Sequence, residues 1–110
     1  SKHLVTIIFS KQKVGLDIET ISEKPLRLSS KFISKDVHQN LTEEKATLIW
    51  CVKEAIFKWH QKANVDFKKD IKIKAFEIME KGEISCNFKG EKIIVKYREI
   101  DNQYLAYVCR

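Results

Sequence analysis

The sequence predicts an α+β fold, an antiparallel sheet with one long helix packed across it. Three observations lead there. Short alternating or β-branched runs separated by polar turns fill both ends of the chain, and one stretch of helical periodicity occupies its middle. The whole is 110 residues, enough for one core but not two, so residues 1–110 form a single domain.

Each element has its own warrant. Residues 4–9 are apolar and β-branched, residues 10–13 break polar, and residues 14–18 resume the apolar pattern, which reads as a hairpin. Residues 21–25 read as a loop closed by Pro25, and the spacing of Leu28, Phe32 and Ile33 suits a short helix over 26–33. Thr42 followed by Glu43 and Glu44 has the form of an N-cap with acids in the first turn, where they complement the helix dipole. It opens a helix expected to run to about residue 64. Ile49, Val52, Ile56, Trp59 and Ala63 make its core stripe. Four strands follow, around Ile71/Ile73/Ala75, Ile84/Cys86/Phe88, Ile93/Val95/Tyr97 and 104–109. Turns are expected at Lys81-Gly82, Lys89-Gly90 and Asp101-Asn102, giving an antiparallel meander.

Composition narrows the function. With 44% hydrophobic and 33% charged residues the chain is globular, and it contains no apolar run of about 18 residues that could cross a membrane. No basic segment followed by an apolar signal stretch opens it. Cys51, Cys86 and Cys109 lie far apart without C-x-x-C spacing, which favours reduced thiols and a cytoplasmic location over zinc or disulfides. The net charge of +6 favours an acidic partner: nucleic acid, a polyphosphate ligand or an acidic protein. Arg is scarce and the lysines are dispersed, which argues against direct nucleic-acid binding.

Two clusters carry chemistry. Asp17 and Glu19 share one face of their strand, with Leu16 and Ile18 expected to point into the core. Adjacent carboxylates repel unless a cation neutralises them, and hard oxygen donors suit Mg²⁺; solvated acids at a strand end are the plainer reading. Gly15 lets something bulky approach the backbone. On the helix, Glu54 lies opposite the core stripe, flanked by Trp50, Phe57 and Lys58. The plainer reading is a helix packed on both sides with an incidental Glu54–Lys58 pair at i,i+4. The other is a covering element, with Glu54 as a third carboxylate and Lys58 against a phosphate. His38 and His60 read as solvated and carry no assigned role.

Val14-Gly15-Leu16-Asp17-Ile18-Glu19 and Trp50-Cys51-Val52-Lys53-Glu54-Ala55-Ile56-Phe57-Lys58 together resemble the two signature motifs of the 4′-phosphopantetheinyl transferases. That pattern is an apolar-Gly-apolar-Asp strand, then aromatic, small, any residue, Lys-Glu-small, and a Lys four beyond the Glu. Glu19, Trp50 and the Lys31-Phe32-Ile33-Ser34 segment are similar to the larger, surfactin-type branch. The resemblance implies a half-domain of that fold, matching its C-terminal half. It also implies transfer of 4′-phosphopantetheine from coenzyme A to a serine of an apo acyl or peptidyl carrier protein. Carried over by position, Asp17, Glu19 and Glu54 would hold Mg²⁺, Glu54 and Lys58 would be catalytic, and Lys58 and Lys53 would contact the cofactor. That branch has two similar halves with coenzyme A between them and a Ser-His-Ser segment, of which Ser1 would be the tail. It also has an acid near the place where Val37 stands, with Asp36 alongside. The expectation is therefore a site completed by a homo-oligomeric partner or by an N-terminal half; the alternative is a non-catalytic binding module of the same fold.

Overall fold

The alternating segments at the C-terminal end fold as one sheet, and the computed structural model describes residues 13–34, 38 and 40–110. The strands are β1 (Val14–Thr20), β2 (Ile71–Ile73), β3 (Lys81–Phe88), β4 (Glu91–Ile100) and β5 (Gln103–Cys109). Their spatial order is β1-β5-β4-β3-β2, and every pairing is antiparallel. The helices are a short α1 (Lys24–Arg27), followed by a 3₁₀ turn at Ser29–Lys31, and the long α2 (Glu43–His60). The architecture is α+β, with α2 laid across the sheet. The predicted strand at 4–9 and the positions of Asp36 and Val37 lie outside the described residues.

Local signals set most boundaries. Thr42 caps α2, its hydroxyl accepting from the Lys45 N–H at 3.1 Å. Lys89-Gly90 and Asp101-Asn102 have positive φ at both positions, the two-residue turn whose twist suits a hairpin. Three expectations need correction. Helix α2 stops at His60, because Gln61 turns left-handed and its N–H closes on the Phe57 carbonyl. Pro25 starts a helical turn instead of ending a loop, as its fixed φ allows in a first turn. Lys81-Gly82 lies inside β3, where the Tyr97 ring covers Gly82.

The core lies between α2 and one sheet face. Ile49, Val52, Ile56 and Trp59 are buried against Ile84, Phe88, Ile93, Val95, Tyr104 and Val108. At β1 the helix comes closest: a Cβ on Gly15 would lie 2.1 Å from the Ala55 carbonyl oxygen and 2.5 Å from the Trp59 Cβ. The bulky neighbour of Gly15 is therefore α2 itself. This contact reverses the predicted facing of β1. Gly15, Asp17 and Glu19 face the helix, whereas Ile18 is 45% exposed on the open side of the sheet and Leu16 is only half-buried. Strand alternation permits either facing, and the glycine, by admitting helix backbone, selects the one that carries the acids.

Candidate active site

The inward facing of β1 brings its carboxylates against α2. The Lys58 ammonium donates to Asp17 Oδ1 at 2.6 Å, across 41 residues of sequence. Asp17 is 6% exposed, and its other oxygen, Oδ2, is buried without a hydrogen-bond partner. One strand step on, Glu19 Oε1 accepts from the Trp50 indole N–H at 2.9 Å. Cys51 holds the backbone beneath, its thiol donating to the carbonyls of Asp17 and Tyr104 at 3.3 and 3.4 Å. The Lys58 partner is thus Asp17 on another element, which replaces the simple i,i+4 reading of the Glu54–Lys58 spacing.

Electrostatics tie the four groups together. Burial raises the Glu19 carboxyl above its ordinary value, and the nearby Asp17 and then the charge of Glu54 push the same way, against the Trp50 hydrogen bond. Burial, then the Asp17 charge, raises Glu54, with Lys58 opposing. Lys58 is raised by its hydrogen bond to Asp17 and by the charges of Asp17, Glu54 and Glu19, with burial opposing. For Glu19 and Glu54 the folded state binds the proton more tightly than the unfolded chain does. Their contribution to stability is therefore greatest in acid and is lost as pH rises from 4.5 through the raised folded values. Glu54→Gln is accordingly expected to stabilise the metal-free protein slightly at neutral pH. Thermal melts in chelator, at pH 7 and at pH 4, measure this: the gain over the parent should be present at pH 7 and shrink at pH 4.

The donor set fits a divalent cation. Carboxylate oxygens are the ligands Mg²⁺ prefers, and a buried, unpartnered carboxylate oxygen flanked by two acids resisting ionisation is a place where a cation would relieve repulsion. Among the described residues, no three acidic, histidine or cysteine side chains converge into a preformed metal cage. The arrangement can therefore hold a hydrated cation, neutralise a phosphate through Lys58 and take up a proton on a carboxylate.

Sequence reasoning placed four residues differently. Lys53, expected at the cofactor, is 3% exposed and points away from the acids. Its ammonium donates to the carbonyls of Phe32, Phe67 and Ile71 at 2.5, 2.6 and 2.9 Å. Burial lowers its pKa to about 8. Trp50 and Phe57, expected at a seam with a partner, are covered from within the chain: Phe67 packs on both, and Phe32 stands edge-on to Trp50. His38 is buried, its Nε2 donating to the Ile73 carbonyl at 3.0 Å, and is not solvated. Reasoning from sequence also missed a cleft of about 520 Å³ beside Glu19, with walls from Leu28, Lys31, Phe32, Trp50 and Phe67. The aromatic at 67 sits in a polar loop, with no periodicity to mark it.

A long helix crosses an antiparallel sheet, with acids and a lysine at their contact, in a small α+β protein. The family model of the 4′-phosphopantetheinyl transferase superfamily matches residues 13–109, and the chain belongs to that family. Its family chemistry is that of a phosphopantetheinyl transferase. None of the curated proteins compared with the chain matches it.

Proposed function

We propose that this protein transfers 4′-phosphopantetheine from coenzyme A to a serine of an apo acyl or peptidyl carrier protein. One observation carries the reading: a buried Asp17 from β1 bonded to Lys58 of α2, with Glu19 and Glu54 within electrostatic reach, in a chain of this family. Asp17, Glu19 and Glu54 are the residues that would hold Mg²⁺, which when bound neutralises pyrophosphate charge and orients it. Lys58, its side chain 49% exposed, is free to turn from Asp17 toward the phosphate under attack and stabilise the charge that builds there. Glu54, its proton affinity raised, takes the serine proton directly or through water. The serine oxygen forms a bond to the phosphorus bearing pantetheine. The bond from that phosphorus to the bridging oxygen breaks, and 3′,5′-adenosine bisphosphate leaves with the electron pair. The cleft of about 520 Å³ beside Glu19, with walls from Leu28, Phe32, Trp50 and Phe67, is where the pantetheine arm would lie.

We place the opposite wall of the site on a second copy of this fold, whether another chain or a further half. Native mass measurement tests that association; the exposed Ile18, Ile94 and Ile100 lie on the sheet face away from Asp17 and Lys58 and do not supply this wall. No helix among the described residues is long and apolar enough to cross a membrane.

Mass analysis of an apo carrier protein incubated with this chain, coenzyme A and Mg²⁺ tests the activity. The carrier should gain one phosphopantetheine, and Lys58→Ala should lower kcat/KM about a hundredfold or more. No gain with a folded, associated sample would leave the non-catalytic binding module as the reading.

A further inference from the structure

Lys53 is the most deeply buried cation among the described residues, and among them its ammonium hydrogen-bonds to carbonyls and to no carboxylate, Asp66 acting on it through its charge alone. An ammonium has three N–H donors, and each is taken by a backbone carbonyl from a different stretch: Phe32 after the 3₁₀ turn, Phe67 in the loop before β2, and Ile71 at the start of β2. Burying a charge against carbonyls alone is costly, and an apolar side chain in its place would leave three acceptors unpaired. Two of those carbonyls belong to the phenylalanines whose rings flank Trp50, at 5.1 and 5.3 Å between centroids. Trp50, three residues earlier on α2, donates its indole N–H to Glu19.

We infer that Lys53 is a positioning residue: it fixes the backbones of Phe32 and Phe67, whose rings seat Trp50, whose indole orients the Glu19 carboxylate. The importance of Glu19 to catalysis rests on the proposed function; the chain of contacts from Lys53 to Glu19 does not. The same lysine holds two walls of the cleft beside Glu19.

The protein contains two tryptophans, so Trp59 serves as an internal reference. Its indole N–H is buried without a partner, elsewhere along α2. Nuclear magnetic resonance of the two indole N–H groups, in the full chain without ligands, reads the geometry directly. Lys53→Gln and Lys53→Arg should each shift or broaden the Trp50 signal and leave that of Trp59 in place. Unmoved Trp50 signals in both variants would overturn the inference. So would loss of both indole signals together in both variants, because Lys53 would then hold the whole fold and not this wall. Kinetics give a second readout: Lys53→Gln and Trp50→Phe should each lower kcat/KM by roughly 10- to 100-fold, and the double variant should be no worse than the poorer single one. Additive losses would overturn the route through Trp50. If the parent shows no transfer at all, the proposed function fails while the indole measurement still decides the role of Lys53.

Discussion

Replacing Gly15 by alanine is expected to disrupt the fold more than the same change at Gly82 or Gly90. The new Cβ would sit 2.1 Å from the Ala55 carbonyl oxygen and 2.5 Å from both the Cβ and the backbone N of Trp59. Two of these atoms are helix backbone, and they cannot rotate away as a flexible side-chain tip could. Helix α2 must therefore lift from β1, which opens the core at Trp59 and separates Asp17 from Lys58. Overpacking of this kind costs about 3 kcal/mol or more, a large share of the roughly 5–15 kcal/mol that holds a domain folded. Urea titration followed by circular dichroism measures the loss. Gly90→Ala is the control: its φ of +88° strains an alanine, but nothing lies within 4 Å of the added carbon. About 1 kcal/mol is expected there. A Gly15→Ala protein as stable as Gly90→Ala would refute the close approach of α2 to β1.

Asp17→Asn should do the opposite, removing activity while sparing the fold. The substitution keeps the shape of the side chain but removes the charge that Lys58 faces and that raises Glu19 and Glu54. An exposed half of an ion pair contributes little to stability, so the lost Lys58 contact costs about 1 kcal/mol at most. Relief of repulsion on Glu19 and Glu54 offsets part of that. On the proposed mechanism the same charge would bind the cation, an effect worth several kcal/mol, so transfer should fall about a thousandfold or more. On the same proposal, adding Mg²⁺ should raise the melting temperature of the parent protein, as a ligand of the folded state does, and should leave that of Asp17→Asn unchanged. Equal Mg²⁺-induced shifts in both proteins would remove Asp17 from the metal ligands.

These two positions also mark where reading the sequence succeeds and where it stops. Gly15, Asp17, Glu19, Glu54 and Lys58 all stand out from spacing alone, because a strand repeats every two residues and a helix about every 3.6. The cap at Thr42 and the turns at Lys89-Gly90 and Asp101-Asn102 were legible for the same reason: each is decided by groups within a few residues of one another. The matching positions of both motifs then pointed to the family whose model covers residues 13–109.

The contacts between distant segments needed the tertiary structure. Leu16 and Ile18 are as apolar as any core pair, yet they face outward, because α2 can approach β1 only over Gly15. Lys53 and Lys58 stand five residues apart on one helix. One is enclosed by carbonyls from three separate stretches and the other reaches a buried aspartate, and nothing within their own turn of helix tells them apart. His38 is hidden by β2, and Trp50 is covered by Phe32 and Phe67, rings brought to it from either side of α2 in the sequence. Local sequence thus determined most of the elements and marked candidates for the chemistry, through forces that act over a few residues. Which side of each element is covered, and by what, depends on packing between segments tens of residues apart, and only the folded chain decides it.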